Sequence, residues 1–427
     1  MNPAPVEKRL LSNGLKLITR PSRANDLVAV MAMLGIGSIC ETDEQAGLSN
    51  LTQALLLKGT DSRTAERIAV EMESTGARIS ASASRDHGVV SMMVTSDGLR
   101  ESLPVFFDVL CNPSFPPDEV SHEIAQALQK IKAKEDQLLV KTTELLAEAY
   151  YATHPYHKSL LGYPETVSRL TGDAIRSFFN TYYRPNNTVL AAVGNFDPVW
   201  LVDQVEAHLE RVAPASLPPP NGHEVPPLTE SRQRIHRREA QAAWLALGYG
   251  APRVTDRDYP AMEVLDAIMG GSMNCRLFTE LRDKRGLAYQ VGSTYVARPG
   301  PSMFVAYIGT APDQFEVARD AILDEVKKIR SAPVTSEELH TSKTYLKGTF
   351  IMGQERNSSQ AALLARYEAM GLGWDYIQRY PGLIDGVAVE DVLRAAQSYL
   401  GEAYALGAVI PKDAPAVPEN GPGISGA

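Results

Sequence analysis

Apolar and polar residues alternate between two periods along this chain, and the order in which the periods occur runs twice. In the first half, the nearly unbroken apolar run at 28–35 predicts a strand buried on both faces, where period-two alternation is lost. Helical spacing follows at 45–57 and 65–74. Beyond Gly76, alternation predicts strands over 78–84 and 89–95, with Asp86-His87-Gly88 as the hairpin signal between them. Helical patterns then cover 98–110, 118–136, 142–151 and 172–183, and a strand over 188–194 closes the half. The second half repeats the order: strand 242–248, helices 259–269 and 275–284, and a strand pair at 287–297 and 303–309 opened by Gly286. Helices at 313–329, 336–352, 358–370 and 389–399 and a closing strand at 403–409 complete it. A period of about half the chain indicates duplication. The expected fold class is α+β, with two similar domains, each an antiparallel-rich sheet with helices packed on one face.

Between the halves, residues 213–228 read APASLPPPNGHEVPPL, which neither continues a helix nor pairs in a central strand. This linker sets the expected boundaries: one domain over 1–212, a second over 229–411, and a Pro- and Gly-rich tail over 412–427 expected to be disordered.

Composition narrows the function little. With 427 residues, 44% hydrophobic and 22% charged, each half can bury a core without disulfides or structural metals. Cys40, Cys111 and Cys275 are scattered and read as small buried hydrophobes. The formal net charge of −9 argues against nucleic acid as the main partner. No apolar run is long enough to span a bilayer, and the first residues carry no signal-peptide pattern. A cytoplasmic protein is the default expectation, or a periplasmic one if a leader has been removed.

The decisive segment is Gly47-Leu-Ser-Asn-Leu-Thr-Gln-Ala-Leu-Leu-Leu-Lys-Gly-Thr60. Alone, it is an amphipathic core helix ending in a turn. Its frame, with Glu41-x-x-Glu44-x-x-Gly47 before it, His154-Pro-Tyr, and Tyr183-Arg-Pro-Asn-Asn ahead of the closing strand, resembles the inverzincin zinc peptidases. These are the pitrilysin, insulysin and mitochondrial processing peptidase family, and the resemblance runs from about residue 6 to 409. It implies a processing-peptidase-like half clam-shell fold.

In that family the helix carries H-x-x-E-H. Residues four apart share one helix face, so two imidazoles converge on a metal, and the glutamate takes a proton from the metal-bound water. Aligned on Gly47 and Lys58-Gly59-Thr60, this chain has Asn50, Gln53 and Ala54 in those three places. Asn50 is a poor zinc ligand, Ala54 supplies none, and Gln53 cannot act as a base. The family's distal ligand and an earlier glutamate align with Lys130 and Glu123. An ammonium there repels Zn²⁺; Lys130 either fills the vacated site and pairs with Glu123, or is a solvated surface lysine. The degenerate zinc-site positions are thus Asn50, Gln53, Ala54, Lys130 and Glu123, and no metal is expected in this chain. Asp86, His87, Glu41 and Glu44 match no ligand spacing and read as surface and hairpin residues.

The second half keeps a different element. Leu281-Arg282-Asp-Lys-Arg-Gly-Leu-Ala-Tyr289 matches the family frame L-R-x-x-x-x-x-x-Y. By residue type alone this is a solvated arginine and a half-buried strand tyrosine. The resemblance makes them donors to the scissile carbonyl, stabilising the negative charge that develops on its oxygen. Lys284 and Arg285 read as solvated or interface charges. The Gly270-Gly271-Ser-Met-Asn loop is shorter than the long glycine-rich loop of the processing peptidase's non-catalytic α-subunit, which sets the chain apart from that subunit.

The resemblance therefore implies the zinc-less subunit of a heteromeric zinc metalloendopeptidase. A homologous partner with an intact H-x-x-E-H would hold the zinc, and this chain would supply Arg282 and Tyr289 in trans on a peptide substrate. The alternative is a scaffold of the same fold without catalytic duty, like the core subunits of respiratory complexes.

Overall fold

A computed structural model describes residues 5–209 and 212–414. From residue 415 onward, the tail expected to be disordered lies outside the described residues.

Eleven strands among the described residues form two sheets. The first contains β1 (Glu7–Leu10), β2 (Lys16–Pro21), β3 (Leu27–Leu34), β4 (Arg78–Ala83), β5 (Gly88–Thr95) and β6 (Thr188–Gly194), in the order β1-β2-β6-β3-β5-β4. The second contains β7 (Arg232–Arg238), β8 (Ala243–Ala251), β9 (Gln290–Val296), β10 (Ser302–Thr310) and β11 (Ala405–Pro411), in the order β7-β11-β8-β10-β9. With β1 set aside, the two orders are the same. The parallel pair β2–β6 corresponds to β7–β11, and every other pairing is antiparallel. The architecture is α+β, two similar domains of mainly antiparallel sheet with helices, as the repeated pattern predicts.

The central strands are apolar throughout because both faces are covered. In β3, Val28, Val30, Ala32 and Leu34 enter the main core with Leu48, Leu51 and Leu55 of the Leu48–Leu55 helix and Leu103 and Phe106 of the Leu99–Cys111 helix. Ala29 and Met31 point the other way and line a groove with Ser358 and Ala361 of the Asn357–Ala369 helix. In the second sheet, the Leu138–Tyr151 helix lies against β7, β8 and β11. Helices therefore cover a second face of each sheet, in addition to the one face expected.

Both covering helices come from the opposite half of the sequence. One compact unit takes its described residues from Met1–Ile131, Ser159–Asn221 and Met352–Ile377; the other takes them from Lys132–Lys158, Gly222–Ile351 and Gln378–Ala427. A single cut at the linker divides the chain differently. The physical reason is the apolar second face of each sheet, which needs a helix that the sheet's own half does not provide. Among the described residues, no helix is long and apolar enough to cross a membrane.

Candidate functional site

The segment where the family holds its metal is the Leu48–Leu55 helix and the turn after it. Gly47 caps the helix in the left-handed region at φ 97°, and a Cβ there would meet the Leu161 carbonyl at 2.8 Å. The first helical amides find an acceptor in Glu41, whose carboxylate receives Ser49 N–H at 2.7 Å and Gly47 N–H at 3.2 Å. A negative group at a helix N-terminus satisfies orphan donors and opposes the positive end of the dipole. Glu41 is buried, not a surface residue as its spacing suggested. Its signal lay in the distance to the helix start, since a carboxylate six residues before Gly47 can fold back as a cap.

Asn50 and Ala54 sit one turn apart and half-buried, on the face where two metal ligands would converge. Gln53 is 1% exposed, and among the described residues neither its amide nitrogen nor its oxygen has a hydrogen-bond partner. The side chain lies against β5, where a Cβ on Gly88 would fall 2.2 Å from its Nε2. These residues do not fit zinc: Ala54 has no donor atom, and Gln53 is an unpartnered neutral amide where a base belongs. Among the described residues no group of three His, Cys, Asp or Glu side chains is placed to hold a metal ion. A buried donor and acceptor without partners lose hydration for no return. Gln53→Leu is therefore expected to raise stability by about 1 kcal/mol. The check is a higher urea midpoint at unchanged slope; a lower midpoint would mean that the amide is satisfied in solution.

Glu123 is buried, but the ammonium beside it belongs to Lys58, at 2.9 Å. Lys130 is exposed further along the same Pro117–Lys134 helix. The pairing of Lys130 with Glu123 is thus corrected: the lysine of the Lys58-Gly59-Thr60 turn reaches the carboxylate first, and Lys130 takes the solvated alternative.

The turn itself is fixed by Asp108. Its carboxylate accepts from Thr60 Oγ1 at 2.5 Å, Ser62 Oγ at 2.8 Å, Arg63 at 2.7 Å and Asn112 Nδ2 at 2.9 Å. Burial alone would raise the Asp108 pKa, but the hydrogen bonds from Thr60, Asn112, Ser62 and Arg63 outweigh it and hold the carboxyl below its ordinary value. A depressed carboxylate stabilises the fold above its unfolded pKa, and that contribution is lost as pH falls through the folded one. Asp108→Ala is expected to cost about 2 kcal/mol at neutral pH, because it takes the shared acceptor from Thr60, Ser62 and Asn112 and leaves Arg63, among the described carboxylates, with Glu71 alone, at 2.8 Å. The deficit in melting temperature relative to the parent should shrink as pH falls below the ordinary aspartate range.

The second candidate element lies in the other unit. The segment carrying Arg282 is a wide-turned π-helix, Phe278–Lys284, with the Arg282 guanidinium 4.8 Å from the centre of the Phe278 ring. The turn after the helix is closed by Leu287 N–H to Leu281 O at 2.8 Å and Gly286 N–H to Arg282 O at 3.1 Å. Tyr289 stands just before β9, its backbone N–H bonded to Gly309 O at 2.9 Å. Arg282 is exposed, Tyr289 is 66% exposed, and neither side chain makes a hydrogen bond among the described residues. A guanidinium and a phenol with free donors can stabilise an oxyanion on a bound ligand. Lys284 pairs with Glu280 at 2.5 Å along the helix, and Arg285 is exposed.

Two family models cover most of the chain: residues 16–163 match "Insulinase (Peptidase family M16)" and residues 169–346 match "Peptidase M16 inactive domain". The chain belongs to this peptidase family. It is similar to an uncharacterised zinc protease of Bacillus subtilis, 26% identical over 409 residues, covering 95% of this chain and 98% of the relative. An uncharacterised zinc protease of Streptomyces coelicolor is 29% identical over 420 residues, covering 95% and 90%. Two solved structures share the fold: a protease from Helicobacter pylori, with TM-score 0.90 and 22% identity, covering 96% of this chain and 100% of that one; and a peptidase M16 inactive domain from Pseudomonas fluorescens, with TM-score 0.87 and 23% identity, covering 96% and 98%. Within this M16 chain, Asn50, Gln53 and Ala54 fall in the insulinase segment, and Arg282 and Tyr289 fall in the segment described as inactive.

Proposed function

We propose that this chain is the zinc-less subunit of a heteromeric zinc endopeptidase of the M16 family. The observation that carries the reading is the asymmetry within one chain. The helix positions that would hold a metal are filled by Asn50, Gln53 and Ala54, while Arg282 and Tyr289 stand exposed with free donors. A homologous subunit with an intact H-x-x-E-H holds the zinc and the base; this chain adds the two donors that receive the scissile carbonyl oxygen as it gains charge. β4 ends its sheet, so an extended peptide can add to it as a further strand.

The test is an assay of peptide cleavage by this chain alone, by a homologous H-x-x-E-H subunit alone, and by the two together. Cleavage confined to the mixture supports the reading. Assembly of the two without cleavage would favour the scaffold role, and neither assembly nor cleavage would remove the heteromeric reading altogether.

A further inference from the structure

β9, the strand that follows Tyr289, ends its sheet and among the described residues pairs with β10 alone. Its other edge is held by Asp266, near the end of the Tyr259–Met269 helix. Ser293 Oγ, in β9, donates to the Asp266 carboxylate at 2.6 Å and also lies 3.2 Å from the Asp266 carbonyl. That same carbonyl accepts the N–H groups of Gly270 and Gly271, both at 2.9 Å. The turn they form presses on the strand: a Cβ on Gly270 would fall 2.0 Å from Ser293 N. Gly270 and Gly271 lead directly to Cys275 and the helix that carries Arg282. One residue thus ties the strand after Tyr289 to the turn before Arg282.

We propose that Asp266 is a positioning residue for the Arg282–Tyr289 pair, fixing strand and helix so that both donors meet one oxyanion. The inference rests on the trans-donor reading of that pair. The Leu287-to-Leu281 bond fixes the turn that leaves the helix towards Tyr289, and Asp266 supplies a second attachment, at Ser293 within the strand. An enzyme needs its donors held within a fraction of an ångström, and a misplacement of about 1 Å costs on the order of a hundredfold.

Burial works against the charged form of Asp266. Protein atoms crowd the Asp266 carboxyl so that desolvation pushes its pKa up to about 6, against hydrogen bonds from Ser293 and the Tyr295 backbone and with the like charge of Glu263 adding to the rise. The Cys275 thiol is itself raised, chiefly by burial, with the Asp266 charge contributing. The Tyr295 phenol donates to the Pro252 carbonyl, and its pKa is raised mainly by burial. The helix Val389–Tyr399, packed on the same element, brings Arg394, which is taken by Asp258 and Asp391 at the other end, and Tyr399, whose phenol is also raised by burial. Because the folded-state pKa lies above the unfolded one, the folded chain binds this proton more tightly. The contribution to stability is largest at low pH and is lost as pH rises through about 6. At neutral pH the ionised carboxylate therefore stabilises the fold less than the protonated acid does.

Asp266→Ala, Asp266→Asn and Ser293→Ala separate the possibilities. In the isolated chain, Asp266→Ala should speed hydrogen exchange of the backbone amides at 289–295 by roughly tenfold, more than it speeds exchange in the other strands of the sheet. In the complex with an H-x-x-E-H subunit, kcat should fall by between about tenfold and a hundredfold at unchanged KM and unchanged assembly. Asp266→Asn, which keeps an acceptor for Ser293, should recover most of that loss, and Ser293→Ala should show part of it. Unchanged exchange at 289–295, or a fall in kcat that merely tracks lower stability or weaker assembly, would overturn the positioning role. The parent reading fails separately: if Arg282→Ala and Tyr289→Phe leave turnover intact, the pair itself has no role. If they abolish turnover and Asp266→Ala does not touch it, only the positioning role falls.

Discussion

Replacing Arg282 by alanine and Tyr289 by phenylalanine is expected to lower kcat of the assembled peptidase by about a hundredfold to a thousandfold for each change. The combined loss should fall short of the product, because donors sharing one oxyanion act as a unit. The magnitude follows from where the bonds form. A group that binds substrate and transition state equally shifts KM, whereas one that meets charge only as it develops shifts kcat. Both side chains are exposed and spend no hydrogen bond among the described residues, so their loss should leave folding, assembly and the partner's zinc content as they were. Arg282→Lys should recover little, since a point charge on a flexible stem does not reproduce a planar fork stacked on Phe278. Turnover within a factor of two of the parent in the double variant would sink the trans role and leave a scaffold. Equal loss of cleavage and assembly would place the pair at an interface instead.

The second large effect concerns stability. Gly407 lies in β11 beneath the Leu138–Tyr151 helix, and a Cβ there would fall 2.3 Å from Leu146 N and 2.4 Å from the Thr142 carbonyl. Both atoms belong to helical backbone, so no rotamer change relieves the clash and the helix must lift from the sheet. Gly407→Ala is expected to cost about 3 kcal/mol. In a unit of this size that is a drop of roughly 10 °C in melting temperature. The control runs the other way. Gly348 lies inside the Ser336–Met352 helix with nothing within 4 Å of the place a Cβ would take, and alanine there should stabilise by about 0.5–1 kcal/mol. Equal small effects at the two sites would mean that the helix does not rest closely on β11 in solution.

Much of this was legible in the residues, and what was not has identifiable causes. The helices Ala65–Ser74, Tyr259–Met269 and Val389–Tyr399 and the strand Thr188–Gly194 stand where periodicity puts them, since each has a face or run that only one element can bury; the Ser336–Met352 helix also stands as predicted, though Ser342 is its one buried residue. β1 and β7 escaped because EKRL and RQRIHRR offer almost no apolar alternation; both end a sheet and owe their extended form to pairing with β2 and β11. Helical spacing predicted a helix over 275–284, but the apolar pattern does not distinguish a π-turn from an α-turn, and the structure widens it over Phe278–Lys284. At the site, residue identities at Asn50, Gln53 and Ala54 were readable directly, whereas which lysine meets Glu123 depended on how a turn folds. Lys58 and Glu123 are 65 residues apart, and no local pattern links them.

The exchange of covering helices between the two halves of the sequence also sets an order in time. A ribosome delivers the first sheet by residue 194, but the helix that covers its second face only with residues 357–369 of 427. Until then a broad apolar surface has no cover, and the contact that closes it spans most of the chain, which makes its formation slow. A gene split at the proline-rich linker would yield two polypeptides, each lacking a helix held by the other. Such fragments would be obligate mates, recovered only when made together.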